Sequence, residues 1–159
     1  METPDQKRRR IYGRQYLSEY LNIFDKILNI KITEKDLLSL EDVDKIISGG
    51  RAKLYFEKII PFNDKRYFHK LVTDHILGFN EPAFTFIEHS LECGAAKIQG
   101  LHEFNFNFKF DDEPAGLISI MIERTSEELL LDFYEENSIR LMKVSIYNNF
   151  NSPPSSPRL

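Results

Sequence analysis

The sequence predicts an α+β fold, with N-terminal helices packed on one face of a C-terminal four-stranded antiparallel β-meander. Three observations predict it. In the first half, apolar residues recur at three- and four-residue steps, the period of a helix with one buried stripe. In the second half they alternate with polar residues, the period of a strand with one buried face. Short polar turns separate the alternating runs, so helices and strands are segregated along the chain.

Residues 1–10 are polar and basic and are expected to be mobile. From Arg14 to Ile30, Leu17, Tyr20, Leu21, Phe24, Ile27 and Leu28 mark a helix. Thr33 and Ser39 are each followed three residues later by an acid, Asp36 and Asp42, which is the placing of a helix start. Leu40, Val43, Ile46 and Ile47 form a short apolar face that stops at Gly49–Gly50.

Residues 51–62 fit either period. Asn63 or Asp64 caps a helix running to Leu77, with Gly78 as its stop. Pro82 suits the first turn of a helix through Phe84, Ile87 and Leu91 to Gly94, with a strand at 83–88 as the alternative. The four expected strands then follow. Phe104, Phe106, Phe108 and Phe110 define the first, and Ile118, Ile120 and Ile122 the second. Leu129, Leu131 and Phe133 define the third, and Met142, Val144 and Ile146 the fourth. Asn105, Asn107, Ser119, Asp132, Tyr134, Lys143 and Ser145 take the opposite parity and are expected to look outward.

A chain of 159 residues, 42% apolar and 29% charged, is the size and composition of one globular domain. The domain is expected to span 1–148, followed by a disordered Pro/Ser-rich tail at 149–159. The single cysteine, Cys93, leaves no internal disulfide framework and fits a reducing, cytoplasmic setting. The basic run Lys7–Arg10 precedes an amphipathic segment, unlike a signal peptide. No stretch approaches the ~18 apolar residues of a membrane span.

Candidate chemistry is sparse. His89 and Cys93 lie one helical turn apart, with His102 beyond, but no second ligand pair of zinc-site spacing accompanies them. No metal or cofactor is therefore expected. His69 and His75 project to different sides of their helix. Cys93 would be a nucleophile only if His89 served as its base, and a small buried thiol is the simpler reading. Glycine-rich phosphate loops and the Gly-x-Ser-x-Gly elbow are absent from the sequence, so no catalytic residue is assigned. Ser48–Gly49–Gly50–Arg51 is read as a helix stop, with an anion cradle as the alternative.

A net charge of −4 disfavours nucleic acid as partner. The basic cluster Lys7, Arg8, Arg9, Arg10 and Arg14, with Tyr12 and Tyr16, is the only arm that could serve one. The acids are more informative. In a meander the first and third turns share one end of the sheet. That geometry would gather Asp111, Asp112 and Glu113 with Glu135 and Glu136, beside Tyr134. Such a cluster would dock a partner protein with a basic surface. The expectation is a protein-binding, inhibitory chain, such as an immunity protein neutralising a bacterial toxin or a phage-encoded inhibitor of host defence. A ligand pocket between helices and sheet is the alternative, with His69, His75 or Glu88 converging on it.

Overall fold

The computed structural model describes residues 1–150. Five helices are α1 (Pro4–Gly13), α2 (Leu17–Ile27), α3 (Leu40–Ser48), α4 (Lys65–His75) and the single turn α5 (Ser90–Cys93). The strands are β1 (Lys53–Pro61), β2 (Ala83–Phe86), β3 (Ala96–Ile98), β4 (Leu117–Ile122), β5 (Glu128–Glu136) and β6 (Ile139–Asn148). They form one antiparallel sheet in the order β1-β6-β5-β4-β2-β3. The α+β class is as predicted, but the sheet has six strands instead of four. No helix among the described residues is long and apolar enough to cross a membrane.

The alternation from Ile118 onward builds β4, β5 and β6. Ile118, Ile120, Ile122, Leu129, Leu131, Phe133, Met142, Val144 and Ile146 are all buried on one face. Asn137 and Ser138, both in the left-handed region, make the two-residue turn between β5 and β6. The two ambiguous segments both become strands. β1 gains its hydrogen bonds from β6, and β2 lies between β3 and β4. The helix expected after Pro82 gives way to its alternative, the strand β2, and only the single turn α5 of it forms.

Residues 104–110 are not the predicted first strand. Asn and Asp side chains divert their backbone into turns: Asn105 Oδ1 accepts from Asn107 N–H at 3.0 Å, and Asp112 Oδ2 from Lys109 N–H at 2.7 Å. The alternating Phe side chains instead plug one end of the core. Phe108 lies 5.4 Å from Phe62 and 5.2 Å from Phe133, and Phe106 packs on Phe68 at 5.1 Å.

The basic N-terminus expected to be mobile is instead helical over most of its length. Thr3 and Gln6 form a reciprocal capping box and Pro4 opens α1. Gln6 and Arg9 then both bind Asp44 of α3. The Pro/Ser-rich tail, apart from Asn149 and Phe150, lies outside the described residues.

Helices occupy both faces of the sheet, where one was expected. α2 and α4 cover the first face through Tyr20, Phe24, Ile27, Phe68, Leu71 and Val72. α3 crosses to the second, where Val43 with Leu38 and Ile46 packs on Phe84 and Ala95. It covers only the β2–β3 side. The second face of β4, β5 and β6 stays open.

Glu127 fastens the loop after α4 to the β4–β5 turn. Its fully buried carboxylate accepts from Leu77 N–H, Gly78 N–H and Thr125 Oγ1, each at 2.8 Å. Glu127→Ala leaves those donors without an acceptor. It is expected to lower the free energy of urea unfolding by about 2–4 kcal/mol with an unchanged slope. Glu127→Gln, which keeps one carbonyl acceptor, should lose less.

Candidate functional site on the open sheet face

Strand pairing sets the second face in rows. Tyr147, Glu128, Met121 and Phe84 form one, and Ser145, Leu130, Ser119 and Phe86 the next. Lys143, Asp132 and Leu117 follow, then Leu141 and Tyr134. Where α3 ends, a cleft of about 590 Å³ opens between its last turn, α5 and this floor, with Ile47, Leu91, Phe86, Leu117 and Met121 among its walls. A second hollow of about 520 Å³ lies beside it and shares Ile46, Gly50, Arg51 and Met121.

The polar part of the floor is one network. Glu128 is buried, and Arg51 grips it with two bonds, Nε at 2.8 Å and Nη2 at 3.2 Å. Ser119 Oγ donates to the same carboxylate at 2.7 Å. The Arg51 guanidinium lies 5.0 Å from the centre of the Tyr147 ring, and its bond to Glu128 raises its pKa. Gly50, in the left-handed region, turns the chain from α3 into β1 and delivers Arg51 to that position. The anion-cradle reading of residues 48–51 therefore meets a cation already held by a carboxylate.

The α5 wall is also tied down. Ser90 Oγ accepts from Ile87 N–H at 2.8 Å and shares a hydrogen bond with the buried Tyr20 hydroxyl, which donates to the Gly94 carbonyl. His89, in the left-handed region, stacks on Tyr16 at 3.9 Å while its Nδ1 meets Glu92 at 3.0 Å. The Cys93 thiol points to the Gly13 carbonyl at 3.4 Å, and burial pushes its pKa to about 11, away from thiolate chemistry. His89 and Cys93 thus serve different partners. His102 is exposed, and no three His, Cys, Asp or Glu side chains gather to hold a metal among the described residues. His69 packs on Phe106 and His75 on Phe56, on the α4 side of the sheet, so neither faces the cleft; Glu88 does.

The acidic residues singled out in the sequence lie on the 111–116 loop and at the end of β5, and no meander strand leads into that loop. Gly116 O accepts from Phe133 N–H at 2.9 Å, which holds the 111–116 loop against β5. Phe110 packs on Phe133 at 5.8 Å, and Arg140 lies over Phe110 while pairing with Glu135 at 3.4 Å. Their charges are not all displayed. Glu113 is buried, accepts from Gly116 N–H at 3.0 Å, and has its pKa raised by burial. Asp112 caps Lys109 N–H and lies near Lys65, whose half-buried amine sits 3.5 Å from the Phe62 ring centre with its pKa drawn down to about 8. Asp111 and Glu136 are exposed, and Tyr134 is half-buried on the second face.

Sequence reasoning missed Ile47, Leu91 and Leu117 as site residues. A signal existed: Leu117, Met121, Leu130 and Leu141 are apolar residues on the outward parity of their strands. No family model, curated protein or solved structure matches the chain.

Glu113 provides a pH test of the loop. A buried carboxyl with a raised folded-state pKa contributes its stability below its ordinary value of 4.5 and loses it as pH rises through the raised value. Glu113→Gln should therefore differ least from wild type below pH 4.5 and be the more stable protein at neutral pH, measured by unfolding across pH.

Proposed function

We propose that this chain is a protein-binding, inhibitory module that docks a partner on the open second face of its sheet, as an immunity protein neutralising a toxin or a phage-encoded inhibitor of host defence would. One observation carries this reading. Ile47, Leu91 and Leu117, exposed by 48%, 46% and 47%, all border one cleft. Large apolar side chains left together in water mark interaction surfaces. The strip beyond Leu117 holds Asp132 and Tyr134 and ends at the exposed Glu136, an aromatic anchor with a polar rim, which is the anatomy of a protein interface.

Binding is favoured over catalysis because the reactive groups near the cleft are engaged. The Ser90 hydroxyl is bonded to Tyr20 and Ile87, and the Cys93 thiol is held protonated. The nucleic-acid reading loses support for a similar reason: Arg8 pairs with Asp5, Arg9 with Asp44 and Arg10 with Glu2. A second reading, a small ligand in the cleft, is favoured by Arg51, Glu128 and Ser119 converging beneath apolar walls.

Affinity capture from the native cell, with wild type and Leu117→Lys in parallel, tests the proposal. A protein retained by wild type and lost from the variant is the expected result; identical captures from both would sink it. Reversing Glu135 and Glu136 to Lys should slow association with that partner by about tenfold while leaving dissociation nearly unchanged.

A further inference from the structure

The charges around the cleft specify what the partner presents, an inference that rests on the protein-binding reading. Every lysine and arginine lining the two hollows is already in an ion pair. Lys45 meets Glu41 at 3.7 Å, Arg51 meets Glu128 at 2.8 Å and Lys97 meets Glu123 at 3.7 Å. Asp42 and Glu88, exposed on the same lining, are in no ion pair among the described residues. Asp132, directly across the ladder from Leu117, is likewise not joined to its neighbour Lys143.

Leu117 is therefore an exposed apolar side chain between two carboxylates. Asp132 faces it on β5. On the other side Glu88, in the turn that follows β2, lines the same cleft. The Glu88 main-chain N–H meets the buried Glu113 carboxyl, so a second acid lies behind this wall of the cleft. A ligand group with an anion would meet repulsion there and no unpaired cation on the lining of the hollows, the nearest being Lys143, one strand beyond Asp132. A group with a bulky apolar tip and flanking cations would cover Leu117, Leu91 and Met121 and bring positive charge to Glu88 and Asp132.

We propose that the cleft receives a partner segment in which a bulky apolar side chain is flanked by lysine or arginine. The apolar side chain supplies the affinity by displacing water from Leu117 and Leu91, and the cations supply orientation and on-rate. Interfaces commonly concentrate their energy on such a central anchor within a charged rim.

The test is selection of a phage-displayed random dodecapeptide library on the folded full chain, followed by titration of the enriched peptides against variants. Wild type should select peptides with Leu, Phe or Met next to Lys or Arg. Leu117→Lys should weaken them by at least about tenfold. The double variant Glu88→Lys with Asp132→Lys should weaken them comparably and remove their salt dependence. Leu117→Ala, which removes the anchor without adding charge, should give the same ranking of peptides at reduced affinity. Circular dichroism and melting confirm that each variant is folded. Peptides that need Leu117 but are acidic or uncharged, and ignore the double variant, would overturn this partner chemistry while leaving the protein-binding reading intact. Failure to enrich any peptide that depends on Leu117 would overturn both.

Discussion

The ladder between β5 and β6 is the interaction on which the rest of the molecule depends. It runs without a break from Glu128–Tyr147 to Glu136–Ile139 and fixes which parity of both strands faces the helices. A slip of one residue would turn one strand's inward set, either Leu129, Leu131 and Phe133 or Met142, Val144 and Ile146, away from the core that the other still faces. The same parity places Glu128, Leu130, Asp132 and Tyr134 on the open face. Core and candidate site are thus two sides of one register, and neither can shift without the other.

Glu128 shows how this coupling acts. The central position of its row desolvates the carboxylate, and a buried charge of this kind is tolerated only when paired and hydrogen-bonded. Arg51 and Ser119 meet that demand, one from the chain leaving α3 and one from β4. The ion pair therefore fastens the end of α3 to the middle of the sheet and sets the width of the cleft. Arg51 is itself half exposed, so the attraction is partly screened, and the larger consequence of losing it would be an uncompensated Glu128.

Much of this was legible in the sequence wherever one period ran long enough. Eleven-residue α2 and α4 and the alternations of β4 to β6 were readable because local pattern and tertiary burial agree. β1 and β2 were not, since their hydrogen bonds come from distant partners that no local window contains. Residues 104–110 misled because alternation reports only which side chains are buried. Asn105 and Asp112, whose side chains compete for the backbone, were the contrary signal. The N-terminal helix was hidden behind its charge, although Thr3, Pro4 and Gln6 spell out a capping box. The acidic end was visible by composition, but the burial of Glu113 depends on a loop held to β5 through Gly116. Its positive φ is 74°, and a side chain there would meet the Phe133 carbonyl.

The sheet offers a partner its edges or its open face, and the edges are poorly suited. β3, at one margin, is three residues long. β1, at the other, carries a register shift between Leu54 and Phe56, exposed Lys53 and Lys58, and a terminal Pro61 that cannot donate to a ladder. These are the devices by which edge strands resist pairing with another chain. Strand addition is thereby discouraged at both margins, while the face between them keeps uncovered leucines, a half-buried tyrosine and unpaired carboxylates. With association through the margins discouraged, a partner of the proposed kind would be read by side chains instead of backbone.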